Sequence, residues 1–457
     1  MKYNILSVLF AALMLVSCDD FLDVKPKGVS IPEKASEYEQ LLNYAQLTKG
    51  LEVYMNYMTD DAWVPDKGYA GYEAMAVSNR NLYTFQSEVF GPAEWDILWL
   101  QSYNRIYYCN VVVNQIMGSE GDLAYKQRVR ADALVLRAFD YLGLVNAYAK
   151  HYNKETASTD LGVPLQLDEN ITNAPITRVS IQRVYDQIIA DLDEAVKYLP
   201  DVNLLQYRGS KPFARAVQAR MYLCMGDYDK ALYWAEEALK TNRTLLDMKL
   251  YKVVDPDKTS GRTDLPDADE NPENINIRFS PAVAGLSSKV FPSQDLLSLF
   301  SPDDMRLKLL YTYKTGSNVV DNLIYAAHTE MNVSSSVPEM LLIAAECSAR
   351  KGDKTKAMSY LNELMDKRIA NFTPQAAVDA DDALVKVLNE RRREFAFNGL
   401  YRLVDLKRLN KEPRFRKTIT HTAEGKTYTL EPESPKYILP IPIMVTDMNP
   451  DMIPNIR

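Results

Sequence analysis

Apolar residues recur every three to four positions over much of the first half of the chain, a spacing that predicts amphipathic helices. One predicted helix has a face made of Ala131, Leu134, Val135, Ala138, Leu142 and Val145. Another follows a predicted N-cap at Ser180 and has a face made of Ile181, Val184, Tyr185, Ile188, Leu192, Ala195 and Leu199. Each face needs a partner, so the pattern predicts helices packed on helices.

Two stretches repeat the order helix, Gly-Asp turn, helix. They are ARMYLCMGDYDKALYWAEEAL and AAECSARKGDKTKAMSYLNEL. Small residues at close spacing after each turn let two helices approach, as in tetratricopeptide-type units. Two separated copies cannot build a regular solenoid. The predicted fold class is therefore mainly α, a broken array of helical hairpins with tetratricopeptide-like units.

The C-terminal half is predicted to be less regular. Residues 255–273 are acidic and rich in proline, which predicts an exposed loop. This loop starts like a calcium site, but Gly261 falls one place too late for that spacing, so a solvated loop is favoured. Alternation in THTAEGKTYTL predicts a small β-hairpin. The proline-rich end is expected to lie as irregular chain against the body.

The N-terminal apolar run stops abruptly at Cys18 and passes at once into acidic residues. Lys2 and the run from Ile5 to Val16 form the charged and apolar parts of an export signal, too short to span a bilayer. Leu15-Val16-Ser17-Cys18 resembles a bacterial lipobox, in which the cysteine is acylated. We predict a lipoprotein signal peptide over residues 1–17 and lipidation of Cys18; a free thiol on an unprocessed peptide is the alternative.

Composition narrows the classes of function. The apolar share of 47% and the charged share of 25% are those of a globular chain. A net charge of −8 argues against nucleic acid as a partner. Cys109, Cys224 and Cys347 are scattered within helical patterns and are predicted to be buried, and the three histidines are equally dispersed. No metal site and no cofactor are predicted.

Several segments together resemble the SusD/RagB family of outer-membrane nutrient-binding lipoproteins, in a shared order that runs from Cys18 to the C-terminus. The segments are CDDFLDVKP, RADALVLRAFDYLGLVNAYA, GVPL, RVSIQRVYDQIIADLDEAVKYLP, GDYDKAL, FSPDDMR, EMLLIAAE, NERRREFAFNGLYRLVDLKR and YILPIPIMVTDMNP. The resemblance implies a single domain over residues 18–457, with variable ligand loops at about 59–93 and 251–330.

The resemblance also implies a function without catalysis. A protein of this kind is anchored to the outer membrane by its lipid and faces the cell exterior. It captures oligosaccharide and delivers it to a SusC-like TonB-dependent transporter, its expected partner. Some relatives bind peptide instead, so RagB-like peptide capture is the alternative.

An aromatic ligand platform is predicted in the loop TDDAWVPDKGYAGYEAMAVSNRNLYTF. Trp63, Tyr69, Tyr72 and Tyr83 lack helical or strand periodicity and alternate with Gly, Pro and Asp, which favours display over burial, although any single ring could belong to the core. Asp61 is predicted to accept hydrogen bonds from sugar hydroxyls.

Two other classes of function compete with ligand capture. A glycoside hydrolase needs two carboxylates facing each other across the substrate, and adjacent acids such as Asp60 and Asp61 seldom do so. A scaffold that binds only proteins would also explain the helical repeats. The basic stretch NERRREFAF is interpreted as structural, because Arg391 shares a helix face with apolar residues and needs a carboxylate partner.

Overall fold

The protein is mainly helical, and its strands form only two-stranded antiparallel sheets within the residues described. The computed structural model describes residues 32–50, 53–68, 71–169, 176–258, 261–280, 290–315, 318–326 and 332–457. The prediction of a mainly α fold is confirmed. Cys18 and Tyr69 lie outside the described residues.

The α-helices are α1 (Ala35–Leu41), α2 (Val77–Tyr83), α3 (Ile97–Gln115), α4 (Leu123–Tyr148), α5 (Ile181–Tyr198), α6 (Lys211–Met225), α7 (Tyr228–Leu239), α8 (Gln294–Leu297), α9 (Met305–Leu310), α10 (Val337–Arg350), α11 (Lys354–Asp366), α12 (Ala380–Glu394), α13 (Tyr401–Leu409) and α14 (Ile443–Met448). Short 3₁₀ turns cover Ala45–Thr48, Tyr54–Met58, Tyr72–Ala74, Ile116–Gly118, Met248–Leu250, Pro413–Phe415 and Pro435–Tyr437.

The strands are β1 (Ala62–Trp63), β2 (Asn274–Asn276), β3 (Phe291–Pro292), β4 (Tyr311–Thr315), β5 (Asn318–Tyr325), β6 (Ser335–Ser336), β7 (Ile419–Ala423) and β8 (Lys426–Leu430). They pair as β1 with β3, β2 with β6, β4 with β5 and β7 with β8. In the register of the first pair, Trp63 lies opposite Phe291.

Helix α4 forms the centre of the helical array. From Ala131 to Ala149 every residue is buried, so the helix is covered on all sides and not on one face only. Its buried charges are paired: Arg137 binds Asp191 of α5 at 2.7 Å, and Asp140 binds Arg105 of α3. Helices α3 and α5 pack along α4, and Ser180 caps α5 by accepting from Arg183 N, as predicted.

The two predicted repeat units are confirmed as helical hairpins, α6–α7 and α10–α11. In each hairpin a glycine takes a left-handed backbone conformation, with φ of 74° at Gly226 and 87° at Gly352, where a side chain would be strained. The following aspartate caps the second helix: Asp227 accepts from Lys230 N, and Asp353 accepts from Lys356 N. Helix α7 packs on α10, so the two distant copies stack directly.

The C-terminal half is less regular, in agreement with the sequence. The β7–β8 hairpin turns at Glu424-Gly425, both with positive φ, and the end of the chain contains only the short helix α14. The described residues of the predicted exposed loop, 255–258 and 261–273, contain no helix. The loop is exposed only in part, because Arg262 is buried and donates to main-chain oxygens of Leu309 and Tyr311. The three predicted buried cysteines are confirmed as buried free thiols.

A buried ionic network ties α10, α12 and α13 together. Arg391 binds Asp405 at 2.9 Å, which confirms the predicted carboxylate partner. Arg408 bridges Asp405 and Glu346, and Glu346 also accepts from Arg350 at 2.8 Å. Burial acts against the charge on Glu346, but Arg408 and Arg350 lower its pKa to about 2. Because each charge is matched, the network fixes how these helices pack.

Candidate functional site

A cleft of about 620 Å³ opens where three distant chain segments meet, and we call it the Trp63 cleft. Its first wall is the 60–63 segment, its second is the 292–295 segment with Asn322 of β5, and its third is the 417–422 segment, which includes most of β7. The cleft is therefore built by loops and small sheets that lie outside the helical repeats.

Trp63 forms the aromatic wall of this cleft. Its side chain is half-buried, and one edge packs on Phe291 with ring centroids 5.6 Å apart at an interplanar angle of 73°. Phe291, Val320, Ile324 and Ala326 form the small apolar cluster behind it. This packing fixes the indole from one side and leaves part of it facing the cleft.

Strand β7 supplies a row of hydroxyl groups opposite Trp63. Burial alternates along this segment: Thr418, Thr420 and Thr422 are exposed, whereas Ile419 and His421 are buried. All five line the cleft. The alternation follows from strand geometry, which sends successive side chains to opposite faces.

His421 anchors this strand to the first wall. Its ring lies between Tyr83 and Phe85, with centroid distances of 4.2 and 4.8 Å. The ring nitrogens lie 2.7 Å from the Tyr83 carbonyl oxygen and 3.0 Å from that of Thr59. Burial lowers the pKa of His421, against the effect of these carbonyl groups. The histidine thus joins the hairpin to the segment that carries Trp63.

An ion-pair network lies beneath the cleft. Arg402 binds both carboxylate oxygens of Asp60 at 2.7 Å, and Lys417 reaches Asp60 at 2.8 Å. Arg392 donates to Asp61 at 2.6 Å and to Asp295 at 2.9 Å. The network contains three acids and three bases, so its formal charges balance, and it binds all three walls to α12 and α13.

The pKa values of the two adjacent aspartates shift in opposite directions. Burial favours the neutral form of both, but Arg402, Arg392 and Lys417 hold the pKa of Asp60 well below its usual range. For Asp61, burial and the neighbouring Asp60 charge outweigh Arg392 and raise the pKa. One Asp61 carboxylate oxygen is buried without a hydrogen-bond partner. Both acids are engaged by bases, so they do not form a pair that faces a substrate from opposite sides.

The predicted platform residues occupy different positions. Trp63 and Tyr83 line the cleft, but Tyr83 is fully buried, and its hydroxyl accepts from Val64 N. Tyr72 lies behind Tyr83 with its ring centroid 6.3 Å away and does not line the cleft. Tyr69 is outside the described residues.

Asp61 requires a correction. It was predicted to accept hydrogen bonds from sugar hydroxyls, but its side chain has no exposed surface and holds Arg392 instead. The sequence did not reveal this pair: NERRREF places Arg392 next to Arg391 and therefore on another side of the helix, but nothing in its spacing points to Asp61.

Other cleft residues were missed from the sequence. Gln294, Asp295, Asn322, Lys417 and the three threonines provide the polar lining. Only Thr420 and Thr422 belonged to a predicted element, the hairpin THTAEGKTYTL, and strand alternation puts these two side chains on the same face. The sequence carried no signal for Gln294, Asp295, Asn322 and Lys417, because these residues come together only in the folded chain.

Fold and cleft together define a helical-repeat protein with an open, polar cleft that has one aromatic wall. Comparison with known proteins places the chain in a family: a model described as "Starch-binding associating with outer membrane" matches residues 20–223, and a model of the SusD family matches residues 337–456. The chain belongs to the SusD/RagB family.

Relatives agree with this assignment. SusD-like protein P2 of Formosa agariphila is 27% identical over 278 residues, which are 57% of this chain. The match spans 51% of that relative, about half its length.

Solved structures share the fold at low identity. A SusD superfamily protein from Bacteroides thetaiotaomicron has a TM-score of 0.73 at 19% identity, covering 93% of this chain and 100% of the other. A SusD-like carbohydrate binding protein from Bacteroides vulgatus has a TM-score of 0.70 at 20% identity, covering 92% and 98%. Within the described part of the chain, no helix has both the length and the apolar character needed to cross a membrane.

Proposed function

We propose that this protein captures an oligosaccharide in the Trp63 cleft and passes it on without chemical change. The single observation that carries the proposal is the cleft itself, in which a fixed, partly exposed indole faces a row of threonine hydroxyls. An aromatic face suits the apolar face of a sugar ring, and hydroxyl, amide and charged groups suit its hydroxyls. The name of the Bacteroides vulgatus relative, a carbohydrate binding protein, supports the same chemistry.

Delivery to a SusC-like TonB-dependent transporter belongs to the same proposal. It is supported by family membership and by the family-model description, which associates such proteins with the outer membrane. In this proposal acylated Cys18 anchors the chain to the outer membrane, and residues 18–457 act as one domain that faces the cell exterior. Mass spectrometry of the N-terminal peptide tests the anchor: a diacyl or triacyl mass on Cys18 is expected, and an unmodified thiol contradicts it.

Ligand titration of Trp63→Ala tests the cleft. The oligosaccharide is first identified by calorimetry of the wild-type protein against neutral and acidic oligosaccharides and mixed peptides. Loss of the indole is then expected to lower affinity by about 1–3 kcal/mol, roughly fivefold to 150-fold, since a few aromatic anchors dominate such sites. Tyr233→Ala is the matched control, because Tyr233 is a 54% exposed aromatic residue on α7, far from the cleft in the chain.

Four results would each contradict part of the proposal. Unchanged affinity of folded Trp63→Ala removes the indole from the site. Binding of peptides but not oligosaccharides supports the RagB-like alternative. Release of shortened products during the titration indicates glycoside hydrolysis instead of capture. Failure of the transporter to copurify with the lipoprotein from native outer membrane, even after crosslinking, contradicts delivery.

A further inference from the structure

A second concave surface lies between α3 and the C-terminal helix α14, and we call it the α3–α14 groove. Four aromatic residues line it at intervals of four positions: Trp95, Trp99, Tyr103 and Tyr107. Met444 and Met448 of α14 form the facing wall. The groove shares no lining residue with the Trp63 cleft.

The four rings form a concave surface because their burial differs. Trp95 and Tyr107 at the two ends are 47% and 39% exposed, whereas Trp99 between them is only 7% exposed. Trp99 packs against Tyr103 and Tyr148 with centroid distances of 4.8 and 4.9 Å. Tyr103 donates its hydroxyl to Pro164 O at 2.9 Å. The inner rings are thus fixed as a floor, and the outer rings flank it.

The size of the groove argues against an oligosaccharide. It encloses about 230 Å³, below the roughly 300–1,000 Å³ of sites that hold whole small-molecule ligands. It offers few polar side chains, and that of Asn110 is already bound to the Gln166 carbonyl and to Arg137. A volume of this size suits one or two apolar side chains instead.

The residue types are those of protein-binding surfaces. Trp, Tyr and Met are enriched at the centres of protein interfaces, and methionine adapts its shape to a partner. At the groove itself, Trp95, Tyr107 and Met448 are exposed, at 47%, 39% and 70%. Exposed apolar side chains grouped on one surface mark interaction sites, whereas isolated ones need no explanation.

Charge indicates which kind of segment fits. The described residues that line the groove include no lysine and no arginine, and Asp168 is the one charged residue among them. Arg178, two residues after the lining residue Ile176, donates to the main-chain oxygens of Gly162 and Ile453. Asp447 is exposed beside Met448. The rim is therefore acidic and complements basic side chains.

We propose that the α3–α14 groove binds a protein segment that inserts an aromatic or aliphatic side chain between Trp95 and Tyr107 and places Lys or Arg against the acidic rim. The helical rise separates Trp99 from Tyr107 by roughly 12 Å, and Trp95 extends the row before α3 begins, so a segment of about 12 residues is long enough to cover it. Neither a bound sugar nor the Trp63 cleft is needed for this binding.

A selection with random 12-residue peptides displayed on phage tests the proposal on the full folded chain. Peptides enriched on the wild-type protein are synthesised, and their binding is measured by fluorescence anisotropy. The expected peptides contain an apolar anchor flanked by Lys or Arg. Their affinity is expected to fall at least tenfold with Trp95→Ala or Met448→Asp and to weaken with rising salt. Asp447→Lys is expected to reduce both affinity and salt dependence.

Trp63→Ala and Tyr233→Ala are the matched controls, because they remove one aromatic residue from the Trp63 cleft and one from α7; both are expected to leave peptide binding unchanged. Trp95, Met448 and Tyr233 are 47%, 70% and 54% exposed, and Asp447 is exposed as well, so their substitution is expected to leave the fold intact. Circular dichroism checks the folding of every variant.

Five results would overturn the proposal. The first three are the absence of enriched peptides, peptides without basic residues, and peptides that bind Trp95→Ala as well as the wild type. The fourth is a wild-type dimer in sedimentation that Trp95→Ala converts to monomer, which would assign the groove to a second copy of the chain. The fifth is displacement of the bound peptide by oligosaccharide, to the same extent in Trp63→Ala as in the wild type. This result would assign the groove to sugar instead.

Discussion

The helical array and the Trp63 cleft are held together in contrasting ways. In the array, neighbouring helices such as α6 and α7 follow each other in the chain, and apolar faces supply most of the contact. In the cleft, segments hundreds of residues apart meet, and ion pairs such as Asp61–Arg392 join them. Local sequence therefore specifies the array, whereas the cleft depends on long-range pairing of individual side chains.

Both regions contain ion pairs, but with different surroundings. Glu346 in the array has no exposed surface and two arginine partners within the core. Asp295 in the cleft is 55% exposed at its side chain and shares its oxygen with Arg392 and Lys417. Water screens the second kind of pair and not the first. Breaking an ion pair in the array should therefore mainly lower the stability of the fold, whereas breaking one in the cleft should mainly lower the affinity for ligand.

The largest effect is expected from Glu346→Gln in the array. The substitution leaves Arg408 and Arg350 without their shared carboxylate in the core, and we expect the free energy of unfolding to fall by about 3–5 kcal/mol. Denaturant titration measures this change. Glu363→Gln is the control, because its pair with Arg243 is largely exposed, and a change below about 1 kcal/mol is expected. Equal effects of the two variants would contradict the comparison.

Acid is expected to act on the same network. The pKa of Glu346 is about 2 in the folded protein against a usual value of 4.5. A lowered carboxylate pKa stabilises the fold above the unfolded value, and this contribution is lost as the pH falls from about 4.5 to about 2. The wild-type advantage over Glu346→Gln should therefore shrink by about 3 kcal/mol across that window. A constant difference between pH 6 and pH 2.5 would show that Glu346 is not ionised as described.

Asp61→Asn is expected to have an intermediate effect. Arg392 keeps Asp60 and Asp295 as partners, so we expect unfolding to become easier by only about 1–3 kcal/mol. Oligosaccharide affinity is expected to fall as well, because Arg392 joins Asp61 to Asp295 in the cleft wall. Asp381→Asn is the control, since it breaks an exposed pair with Arg414. Reduced stability with unchanged affinity would show that the network holds the fold but not the cleft.

The smallest change in stability is expected from Thr420→Val with Thr422→Val. Both side chains are exposed on β7, and valine suits a strand, so the melting temperature should hardly change. Affinity for oligosaccharide should fall about threefold to tenfold for each hydrogen bond lost, at about 0.5–1.5 kcal/mol each. Thr427→Val on β8 serves as the control, because Thr427 does not line the cleft. Full affinity of the double variant would exclude the threonine row from recognition.

Features of the helical array could be predicted from the sequence, whereas the contacts that build the Trp63 cleft could not. Helical hairpins, their Gly-Asp turns, the Ser180 cap and the β7–β8 hairpin all depend on residues close in the chain, and the sequence predicted them. The lack of periodicity around Trp63 predicted a displayed indole, and the structure leaves this side chain half-buried in the cleft wall; its contact with ligand stays a prediction. Tyr83 and Asp61 were predicted for the same platform but are buried, because they contact His421 and Arg392, more than 300 residues away. No local pattern contains that information.

The hydrogen bond between His421 and the Thr59 carbonyl joins residues 362 positions apart. A ribosome that adds about 5–20 residues per second needs roughly 20–70 s between synthesising one and the other. During that interval the hairpin α6–α7 already has both its helices, but Trp63 lacks its opposite wall. Completion of the Trp63 cleft therefore waits for the synthesis of β7, and a chain truncated before β7 would present a helical body with an unfinished cleft.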